Sequence, residues 1–337
     1  MIRFSAIFLF IGFLLCNQLA SQVNHYDDYR LMFYNVENLF DTIDKPDTND
    51  EEFLAKGKKH WNNYKYWRKI NKLFQVVAAA GSTHPPDIIG LCEVEGFLPL
   101  YHLTNNTPLS KYSYSILHRD SPDKRGIDVA LLVNRNHVGV IETKFYRISF
   151  PWDTASTTRE ILYAALKIQD DTLHTFVNHW PSRRGGQLKS EPRRIEAAKV
   201  LMMAIDSLCI NNSDAKIVVM GDFNDEPSNK SLSQLVGSTD LINLSGKLKS
   251  DCRCGSYKYK SEWNMIDQVL ISESLLGNNK LTYKPASISI FRDDFLLQED
   301  ETYGGFKPYR TFLGPRYVGG FSDHLPVTLE LIYQVIE

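Results

Sequence analysis

The amino-acid sequence predicts an α/β protein in which two stacked β-sheets are covered by helices. Ten stretches rich in apolar, β-branched or aromatic residues have the composition of buried strands. Only two long segments show the three-to-four-residue apolar spacing of an amphipathic helix. Each sheet has to bury a face, and so does each helix. Two packed sheets with helices outside them satisfy both requirements.

The predicted strands lie along the chain between residues 31 and 333. They are Leu31–Asn35, Ile88–Cys92, Tyr112–Leu117, Val129–Val133, Val138–Phe150, Ile161–Ile168, Leu173–Asn178, Ile217–Met220, Gln268–Ile271 and Val327–Tyr333. Most are dominated by the residue types that fit a pleated and half-buried surface. Their number is sufficient for two sheets of ordinary size.

Two helices are predicted. The first covers Tyr66–Ala80 and stops at Gly81. Its apolar face is formed by Ile70, Leu73, Phe74 and Val77. The second begins at Ser190-Glu191-Pro192, where a capping serine precedes an early proline. Its apolar stripe is formed by Ile195, Ala198, Met202 and Ile205. The stretch Asp293–Tyr317 has little periodicity, so we expect a long functional loop there.

The N-terminal sequence predicts an exported protein. An early cation at Arg3, an apolar stretch over Phe4–Leu15 and a polar, small-residue segment after it are typical of a secretory signal peptide. We assign residues 1–21 to that signal and residues 22–337 to one catalytic domain, located in the periplasm or outside the cell. Lipoprotein anchoring at Cys16 is the alternative, although Leu15 is a poor residue before such a site. The apolar stretch is too short to span a bilayer comfortably, and no later segment resembles a membrane span.

Charge gives a mild argument about partners. The formal net charge is -2 and the pI is about 6.5, so no strongly basic composition indicates a tight nucleic-acid binder. A nuclease that turns over quickly remains compatible with this balance. We expect a monomer.

Cysteine usage leaves the redox state open. Cys92 lies in a predicted strand and is interpreted as a small core residue. Cys252 and Cys254 are too close in sequence for an unstrained bridge with each other. A bridge from either of them to Cys209 is a possibility that the sequence does not decide.

Two motifs carry the strongest chemical signal. Gly221-Asp222-Phe223-Asn224 follows the strand Ile217–Met220, and Ser322-Asp323-His324 precedes another strand-like stretch. A carboxylate with an amide, and a carboxylate with an imidazole, are thus placed at strand ends, where α/β sheets usually position chemistry. Taken alone, Gly-Asp-Phe-Asn could equally be a turn.

Three further strand ends make a turn the weaker interpretation. Polar residues also end the apolar runs at Tyr34–Asn38, Leu91–Glu95 and Asn178–Ser182. Five such ends in one chain are hard to obtain by chance. Asn35, Glu93 and His179 are the candidate functional residues of these segments. Two nearby acidic residues, Glu37 and Glu95, are competitors for Asn35 and Glu93.

In this order the motifs resemble the endonuclease/exonuclease/phosphatase superfamily. That group includes deoxyribonuclease I, exonuclease III-type repair enzymes, inositol polyphosphate 5-phosphatases and neutral sphingomyelinases. The elements that carry the resemblance are Asn35, Glu93, His179, Asp222 with Asn224, and Asp323 with His324. The resemblance covers about residues 30 to 332 and is greatest to secreted bacterial members. It implies a four-layer α/β sandwich of two mixed β-sheets flanked by helices, with the site where loops of the two sheets meet.

The candidate metal ligands are oxygen donors. Glu93 is the best candidate, with Asn35 and Asp323 beside it. Hard oxygen ligands favour Mg²⁺ or Mn²⁺, with Ca²⁺ as a further candidate, over soft metals. In the same site Asp222 would activate the attacking water, and Asn224 would hold that water or a phosphate oxygen.

The resemblance also implies roles for two histidines. His324 would be an alternative proton acceptor paired with Asp267, although Ile266 and Gln268 flank this aspartate where many family members have an arginine. His179 would sit on the phosphate as an acid or oxyanion stabiliser. We expect Asp128 to orient His179, with a simple turn aspartate as the alternative. His118 and the remaining histidines have no comparable setting.

Three arginines are candidates for substrate binding. Arg183 and Arg184 follow His179 closely and could grip phosphate in a bidentate manner, or could equally belong to a solvated loop. Arg310 lies on the segment that enters Ser322 and could shape the substrate pocket.

The sequence therefore predicts an exported, divalent-metal-dependent phosphoesterase that hydrolyses phosphodiester bonds, most simply a nuclease acting on nucleic acid. An inositol-phosphate or sphingomyelin phosphoesterase is the first alternative, although no membrane-docking segment favours a lipid substrate. A non-catalytic binding protein on the same scaffold is the second. Loss of a core residue would favour it, and none is lost.

Overall fold

Two mixed β-sheets lie face to face, with helices on their outer surfaces. The computed structural model describes residues 25–252, 254–277 and 279–335, without the side chains of residues 25, 26 and 250–252. The predicted signal peptide over residues 1–21 lies outside the described residues. No helix in the described ranges is both long and apolar enough to cross a bilayer.

The elements of the described chain alternate between strands and helices. The α-helices are α1 Asn63–Ala80, α2 Phe97–Asn105, α3 Gln187–Asn211, α4 Lys230–Ser238 and α5 Leu244–Cys252. Single turns of 3₁₀-helix cover Glu51–Phe53, Pro108–Tyr112, Glu273–Leu275 and Asp294–Leu296. The strands are β1 His25–Leu39, β2 Ile88–Val94, β3 Tyr114–His118, β4 Asp128–Asn134, β5 Gly139–Tyr146, β6 Ile161–Ile168, β7 Asp171–His179, β8 Lys216–Asp222, β9 Leu241–Asn243, β10 Tyr257–Tyr259, β11 Glu262–Asn264, β12 Asp267–Ser272, β13 Leu281–Tyr283, β14 Ser289–Ile290, β15 Leu297–Glu299, β16 Phe306–Pro308, β17 Phe312–Leu313, β18 Arg316–Tyr317 and β19 Val327–Val335.

The direction of neighbouring strands places the candidate functional residues at one end of each sheet. The first large sheet runs β13-β19-β1-β2-β4-β3, with β14 also paired to β19, and the second runs β5-β6-β7-β8-β12-β9. The pairs β1/β2 and β7/β8 are parallel. Because β1 and β2 run in the same direction, Asn35 and Glu93 emerge at the same end of the first sheet. His179 and Asp222 emerge together from the second sheet for the same reason.

Three hydrophobic clusters define four layers, since alternate residues of each strand point to opposite faces. Phe33 and Met220 lie in the cluster between the two sheets. Their neighbours Tyr34 and Val219 point outward, to the clusters beneath α1 and α3 respectively. The predicted four-layer α/β sandwich of two mixed sheets flanked by helices is confirmed.

Gly221 is required by the close approach of two strands. A Cβ at this position would lie 2.5 Å from the backbone carbonyl oxygen of Asn178 on β7. Backbone atoms cannot move aside as a flexible side chain can, so a larger residue would push β8 away from β7. The glycine therefore keeps Asp222 beside His179, its register partner across the parallel pair.

Helix α1 confirms the predicted end at Ala80 but begins at Asn63 rather than Tyr66, because the side chain of Asn62 caps it, and α3 also begins earlier than predicted. Helix α1 buries Ile70, Leu73 and Val77, while Phe74 is half-buried. Helix α3 begins at Gln187, not at Ser190, because the turn made by Gly185 and Gly186 at positive φ starts the helix earlier. Ser190 is already inside the first turns, and its hydroxyl donates back to the carbonyl of Gly186 at 2.9 Å. Of the predicted stripe, Ala198 and Ile205 are buried and the other two members are half-buried.

One other prediction needs correction, and one cysteine pairing that the sequence left open is decided. The segment Asp293–Tyr317 is not an irregular loop, because it folds into the two short hairpins β15/β16 and β17/β18. Residues in strands this short show no measurable periodicity, which explains the error. Cys209 is a free thiol, so it is not bridged to Cys252 or Cys254. Cys254 is disulfide-bonded.

Candidate active site

A cleft of about 690 Å³ opens where the strand ends of the two sheets meet. Its lining brings together a large share of the predicted functional residues: Glu93, His179, Asp222, Asn224, Asp323 and His324. Asn35 and Asp267 lie directly behind this wall, each bonded to one of the lining residues. Glu93 and His324, which are 231 positions apart in sequence, thus face one space.

Asp222 sits at the centre of a hydrogen-bond network. Its Oδ2 accepts from Nδ2 of Asn35 at 3.0 Å, and its Oδ1 accepts from the backbone N–H of Asn224 at 2.9 Å. Asn224 has a left-handed backbone (φ 50°), and its side-chain amide donates to the carbonyl of Trp180. Burial raises the pKa of Asp222 to about 7, with the charge of Asp267 adding to the effect. The carboxyl is therefore poised to exchange a proton near neutral pH.

Glu93 projects into the cleft from an irregular strand end. It has φ 62° and lies where the β2/β4 register shifts between Cys92 and Val94. Its Oε2 accepts from the backbone N–H of Asn38, another left-handed residue, and its Oε1 lies 4.0 Å from Nε2 of His179. Residues in this conformation cost free energy and cluster at functional sites. Glu95, the competing ligand, accepts from the N–H of Asp41 and lies outside the cleft lining.

His324 and Asp267 form the predicted pair. Nδ1 of His324 lies 2.7 Å from Oδ2 of Asp267, and the hydroxyl of Ser256 donates to the same oxygen. Burial opposes a charge on His324, but Asp267 and the carboxylates of Asp222 and Asp323 outweigh it and raise its pKa to about 10. The imidazole is therefore a cation at neutral pH.

His179 has the opposite electrostatic character. It is 3% exposed, and burial together with the positive charges of Arg159, Arg125 and His324 lowers its pKa well below the usual value. Its Nε2 lies 3.8 Å from Oδ2 of Asp222. Its Nδ1 is buried and has no hydrogen-bond partner among the described residues. The ring is neutral and presents Nε2 to the cleft.

Asp128 does not orient His179, contrary to the prediction. Its Oδ2 lies 2.8 Å from Nε2 of His118, and its Oδ1 accepts from the N–H of Ser121. His118 and Asp128 meet because β3 and β4 are antiparallel neighbours. Such cross-strand pairing depends on register, which the local sequence around Asp128 does not reveal.

Asp323 belongs to a chain of alternating charges behind the cleft. Its Oδ2 accepts from Arg310 at 2.8 Å, and Nε of Arg310 donates to Oε1 of Glu37 at 3.4 Å. The buried ammonium of Lys69 donates to the hydroxyl of Thr311 and to a backbone carbonyl. Arg310 is thus engaged by two carboxylates, and Glu37 supports it from a position outside the cleft lining.

The two arginines that follow His179 differ in their surroundings. Arg183 donates to the carbonyl of Asn224 at 2.7 Å and to the side chain of Asn229, so it buttresses the Asn224 loop. Arg184 is exposed and lines the cleft. Only Arg184 of this pair has a guanidinium without a hydrogen bond inside the described protein.

Several residues of the site were not predicted. The ring of Tyr257 lies 4.8 Å from that of His324, and Arg125 joins the cleft wall. The hairpin β10/β11 also brings Tyr259, Glu262 and Asn264 to the rim. Strand-like alternation around Tyr257 could have indicated the hairpin. Its position over His324 follows from long-range folding alone.

The donor set fits a hard divalent cation. Glu93 Oε1 and Asp323 Oδ1 accept no hydrogen bond within the described part of the chain, and both residues line the cleft. Oδ1 of Asn35 accepts from the N–H of Glu37 and keeps a second lone pair. Carboxylate and amide oxygens are the ligands that Mg²⁺ and Mn²⁺ prefer.

The fold is shared with several solved structures. The chain resembles the catalytic domain of human nocturnin with bound sulfate (18% identity, TM-score 0.56, covering 93% of this chain and 98% of that one). It also resembles a mannosyl-6-phosphatase from Bacteroides thetaiotaomicron (17%, TM-score 0.57, 90% and 99%). A third is D. rerio TDP2 complexed with a single-strand DNA product (14%, TM-score 0.56, 90% and 99%). These likenesses establish the fold and leave the substrate of this chain open.

Sequence comparison agrees with the architecture. No curated protein sequence matches the chain significantly. Residues 30–333, by contrast, match the model of the Endonuclease/Exonuclease/phosphatase family. That match covers most of the chain and includes each strand end that lines the cleft. The chain therefore belongs to the Endonuclease/Exonuclease/phosphatase family.

Proposed function

We propose that the protein is an exported, divalent-metal-dependent phosphoesterase that hydrolyses phosphodiester bonds, most simply those of nucleic acid. The observation that supports this proposal is the convergence of Glu93, His179, Asp222, Asp323 and His324 on one cleft. The set combines hard anionic oxygens, a group that titrates near neutral pH, a neutral imidazole and an imidazolium. These groups can neutralise the phosphate charge, accept a proton from water and stabilise the leaving oxygen, which phosphodiester hydrolysis requires.

Asp222 accepts the proton of the attacking water in this proposal. A pKa of about 7 makes its carboxylate a base of suitable strength at neutral pH. The hydrogen bonds from Asn35 and Asn224 fix the orientation of both carboxylate oxygens. His324 does not take this role, because an imidazole whose pKa is about 10 already carries its proton.

The two histidines contact the phosphate. His324 donates a charge-assisted hydrogen bond from Nε2, which lies on the opposite side of the ring from Asp267. His179, held neutral by burial and neighbouring cations, donates from Nε2 to a phosphate or leaving-group oxygen. Charge that develops on oxygen is thereby stabilised by preoriented donors in a largely water-excluded wall.

Glu93, Asp323 and Asn35 are the residues that would hold Mg²⁺ or Mn²⁺. The bound cation would supply positive charge against the anionic oxygens of the phosphate. Arg310 and Lys69 limit the repulsion among the carboxylates around it. Exposed Tyr259 and the cations Arg125 and Arg184 at the rim are suited to bases and to backbone phosphates, which favours nucleic acid.

A substrate panel tests this proposal. The purified exported protein would be assayed with Mg²⁺ or Mn²⁺ on DNA, RNA, a bis-aryl phosphodiester, inositol phosphates and sphingomyelin. We expect turnover of nucleic acid and of the bis-aryl ester. If inositol phosphate or sphingomyelin is hydrolysed preferentially, that compound's class is the substrate class instead of nucleic acid. If no compound is hydrolysed, the result contradicts a phosphoesterase and favours the non-catalytic binding protein. N-terminal sequencing of the exported protein should begin at residue 22.

A further inference from the structure

A second pocket, whose lining includes six cations, opens beside the catalytic cleft. It has a volume of about 450 Å³ and shares Arg125, Ser182 and Arg184 with the cleft, so the two are neighbours on one surface. We call it the cationic pocket. None of the proposed metal ligands, and neither of the two cleft histidines, lies in its lining.

The charge of this pocket contrasts with that of the whole chain. Six cationic side chains line it: Lys124, Arg125, Arg159, Arg184, Lys189 and Arg193. The one lining carboxylate, Asp123, is already paired with Arg159 at 2.9 Å and lies 3.7 Å from Arg125. Arg193 is paired with Asp153 at 2.8 Å, so the excess positive charge comes from Lys124, Arg125, Arg184 and Lys189. The chain as a whole carries a formal charge of -2, so this excess is local. Oxyanions are attracted to such a surface.

The inner wall of the pocket contains buried polar atoms without partners. Arg159 is 5% exposed and Thr158 is 3% exposed. Nε of Arg159 and Oγ1 of both Thr157 and Thr158 have no hydrogen-bond partner among the described residues. Leaving such groups unsatisfied costs free energy, and a bound oxyanion would provide acceptors for them after a small adjustment of the wall.

Helix α3 adds an oriented dipole to the same pocket. Gly185, which precedes the helix, and Lys189 and Ser190 of its first turns line this pocket, whereas Gly186 and Gln187 line the adjoining cleft. The capping position, Gly186, provides no side-chain hydrogen bond, so the first N–H groups of this 25-residue helix are left without a capping side chain. A helix N-terminus with free N–H groups favours phosphate. The N-terminus of α3 thus borders both the cleft and the cationic pocket, and the unpartnered Nε of Arg159 lies in the wall of the latter.

The cationic pocket is held rigidly beside the reaction centre. Nη2 of Arg159 donates to the carbonyl of Trp180 at 2.7 Å, and Trp180 directly follows His179. Nδ2 of Asn224 donates to the same carbonyl. A phosphate in the cationic pocket would therefore be positioned relative to the phosphate in the cleft through one shared backbone group.

We propose that the cationic pocket binds a second phosphate group of the substrate, next to the phosphate that is hydrolysed. This inference rests on the proposed phosphoesterase function and identifies its preferred substrates as molecules with at least two phosphates. In a nucleotide chain the second group is a neighbouring or terminal phosphate. In a sugar or inositol bisphosphate it is the second monoester.

A binding measurement tests the pocket independently of catalysis. Inorganic phosphate would be titrated calorimetrically into the metal-free protein in EDTA. The test variant combines Lys124→Gln with Lys189→Gln, since both residues are exposed lining cations outside the proposed catalytic set. The matched control combines Lys56→Gln with Lys199→Gln, which removes the same charge from exposed positions outside the pocket.

We expect phosphate to bind the wild type and the control equally, and to bind the test variant at least about tenfold more weakly. In the kinetic arm, hydrolysis of a thymidine dinucleotide would be compared with that of the same dinucleotide bearing a 5′-phosphate, and inositol mono- and bisphosphate would form a second pair. The wild type and the control should prefer the doubly phosphorylated member of the hydrolysed pair by kcat/KM, and the test variant should lose that preference.

Equal phosphate binding by the test variant and the control would contradict the proposal that the cationic pocket binds phosphate. Hydrolysis without any preference for the doubly phosphorylated compound would contradict its role in substrate binding. Either result would leave the proposed phosphoesterase function unaffected. Pocket-dependent phosphate binding with no hydrolysis of any substrate would instead overturn the proposed function. It would also remove the claim that the bound phosphate belongs to a substrate.

Discussion

Nδ1 of His324 lies 2.7 Å from Oδ2 of Asp267. This contact joins the segment before β19, in one sheet, to the start of β12 in the other sheet. His324 immediately precedes the segment that becomes β19, and Asp267 begins β12. The pair is buried and Asp267 also accepts from Ser256. The protonation state of the His324 imidazole therefore depends on a contact between the two sheets.

Replacing Asp267 with Asn should lower the pKa of His324. Desolvation by burial would then dominate, because the largest opposing charge is gone. NMR titration of the imidazole in metal-free protein should give a value clearly below the wild-type value of about 10. The exposed Asp214→Asn variant has the same change in net charge and should leave that value unchanged. If the pKa of His324 is unchanged in Asp267→Asn, the charges of Asp222 and Asp323 are sufficient to raise it.

The same pair should make stability depend on pH in a defined direction. The pKa of His324 is raised from 6.5 to about 10, so its contribution to the free energy of unfolding is fully present below about pH 6.5 and is lost as pH rises towards 10. Denaturant unfolding of the metal-free wild type and of Asp267→Asn should differ most at pH 6 and converge at alkaline pH. If the difference in the free energy of unfolding between the two proteins grew with pH, the pKa of His324 would not be raised by Asp267.

Replacing His179 with Asn should separate catalysis from folding. The shorter amide does not reach the position of Nε2 and so removes the neutral N–H donor to the phosphate, and we expect turnover to fall at least about a hundredfold. Thermal stability should change little, because Nδ1 of His179 makes no hydrogen bond within the described structure. Turnover near the wild-type rate, measured on a bis-aryl phosphodiester, would exclude His179 from the reaction.

Asp222→Asn distinguishes a proton acceptor from a metal ligand. The substitution keeps the shape of the side chain and removes its basicity. If Asp222 accepts the proton, turnover should fall at least about a hundredfold while Mg²⁺ affinity, measured by calorimetry, stays within a few-fold of wild type. Loss of both would assign Asp222 to the cation instead. Asp214→Asn again provides the exposed control with the same charge change.

Gly221→Ala tests the close packing of β7 against β8. The new Cβ would lie 2.5 Å from a backbone carbonyl oxygen, so we expect destabilisation of about 1–3 kcal/mol and loss of activity as Asp222 moves from His179. Gly237→Ala is the control, because no atom lies within 4 Å of a Cβ there and the residue is helical. It should be neutral or stabilising by up to about 1 kcal/mol. If Gly221→Ala and Gly237→Ala have equal free energies of unfolding in denaturant, β7 and β8 can move apart to accommodate the new methyl group.

The sequence predicts those parts of the fold that depend on local pattern. The strands β7 and β8 and the helix α1 are predicted because apolar periodicity is continuous there and glycine or polar residues mark the ends. The start of α3 is wrong because two adjacent glycines at positive φ, rather than the serine cap, determine where that helix begins. The hairpins within residues 297–317 escape prediction because strands of two or three residues have no period.

The site is predictable to the extent that it consists of strand ends. Asn35, Glu93, His179 and Asp222 follow from apolar runs that stop at a polar residue. The partner of Asp128 depends on cross-strand register, and the contact of the Tyr257 ring with His324 depends on a distant hairpin. The left-handed backbone at Glu93 arises at a register shift, which has no signature in the residues themselves.

Metal dependence of hydrolysis tests the central claim most directly. The wild-type protein would be treated with EDTA, dialysed and assayed on a bis-aryl phosphodiester, with Mg²⁺ or Mn²⁺ then added back. Glu93→Gln would be measured alongside, because it removes the charge of the best-placed ligand and should raise the half-activating metal concentration at least about tenfold. We predict that activity vanishes on chelation and returns on addition of either cation. Full activity after chelation and dialysis would contradict the account.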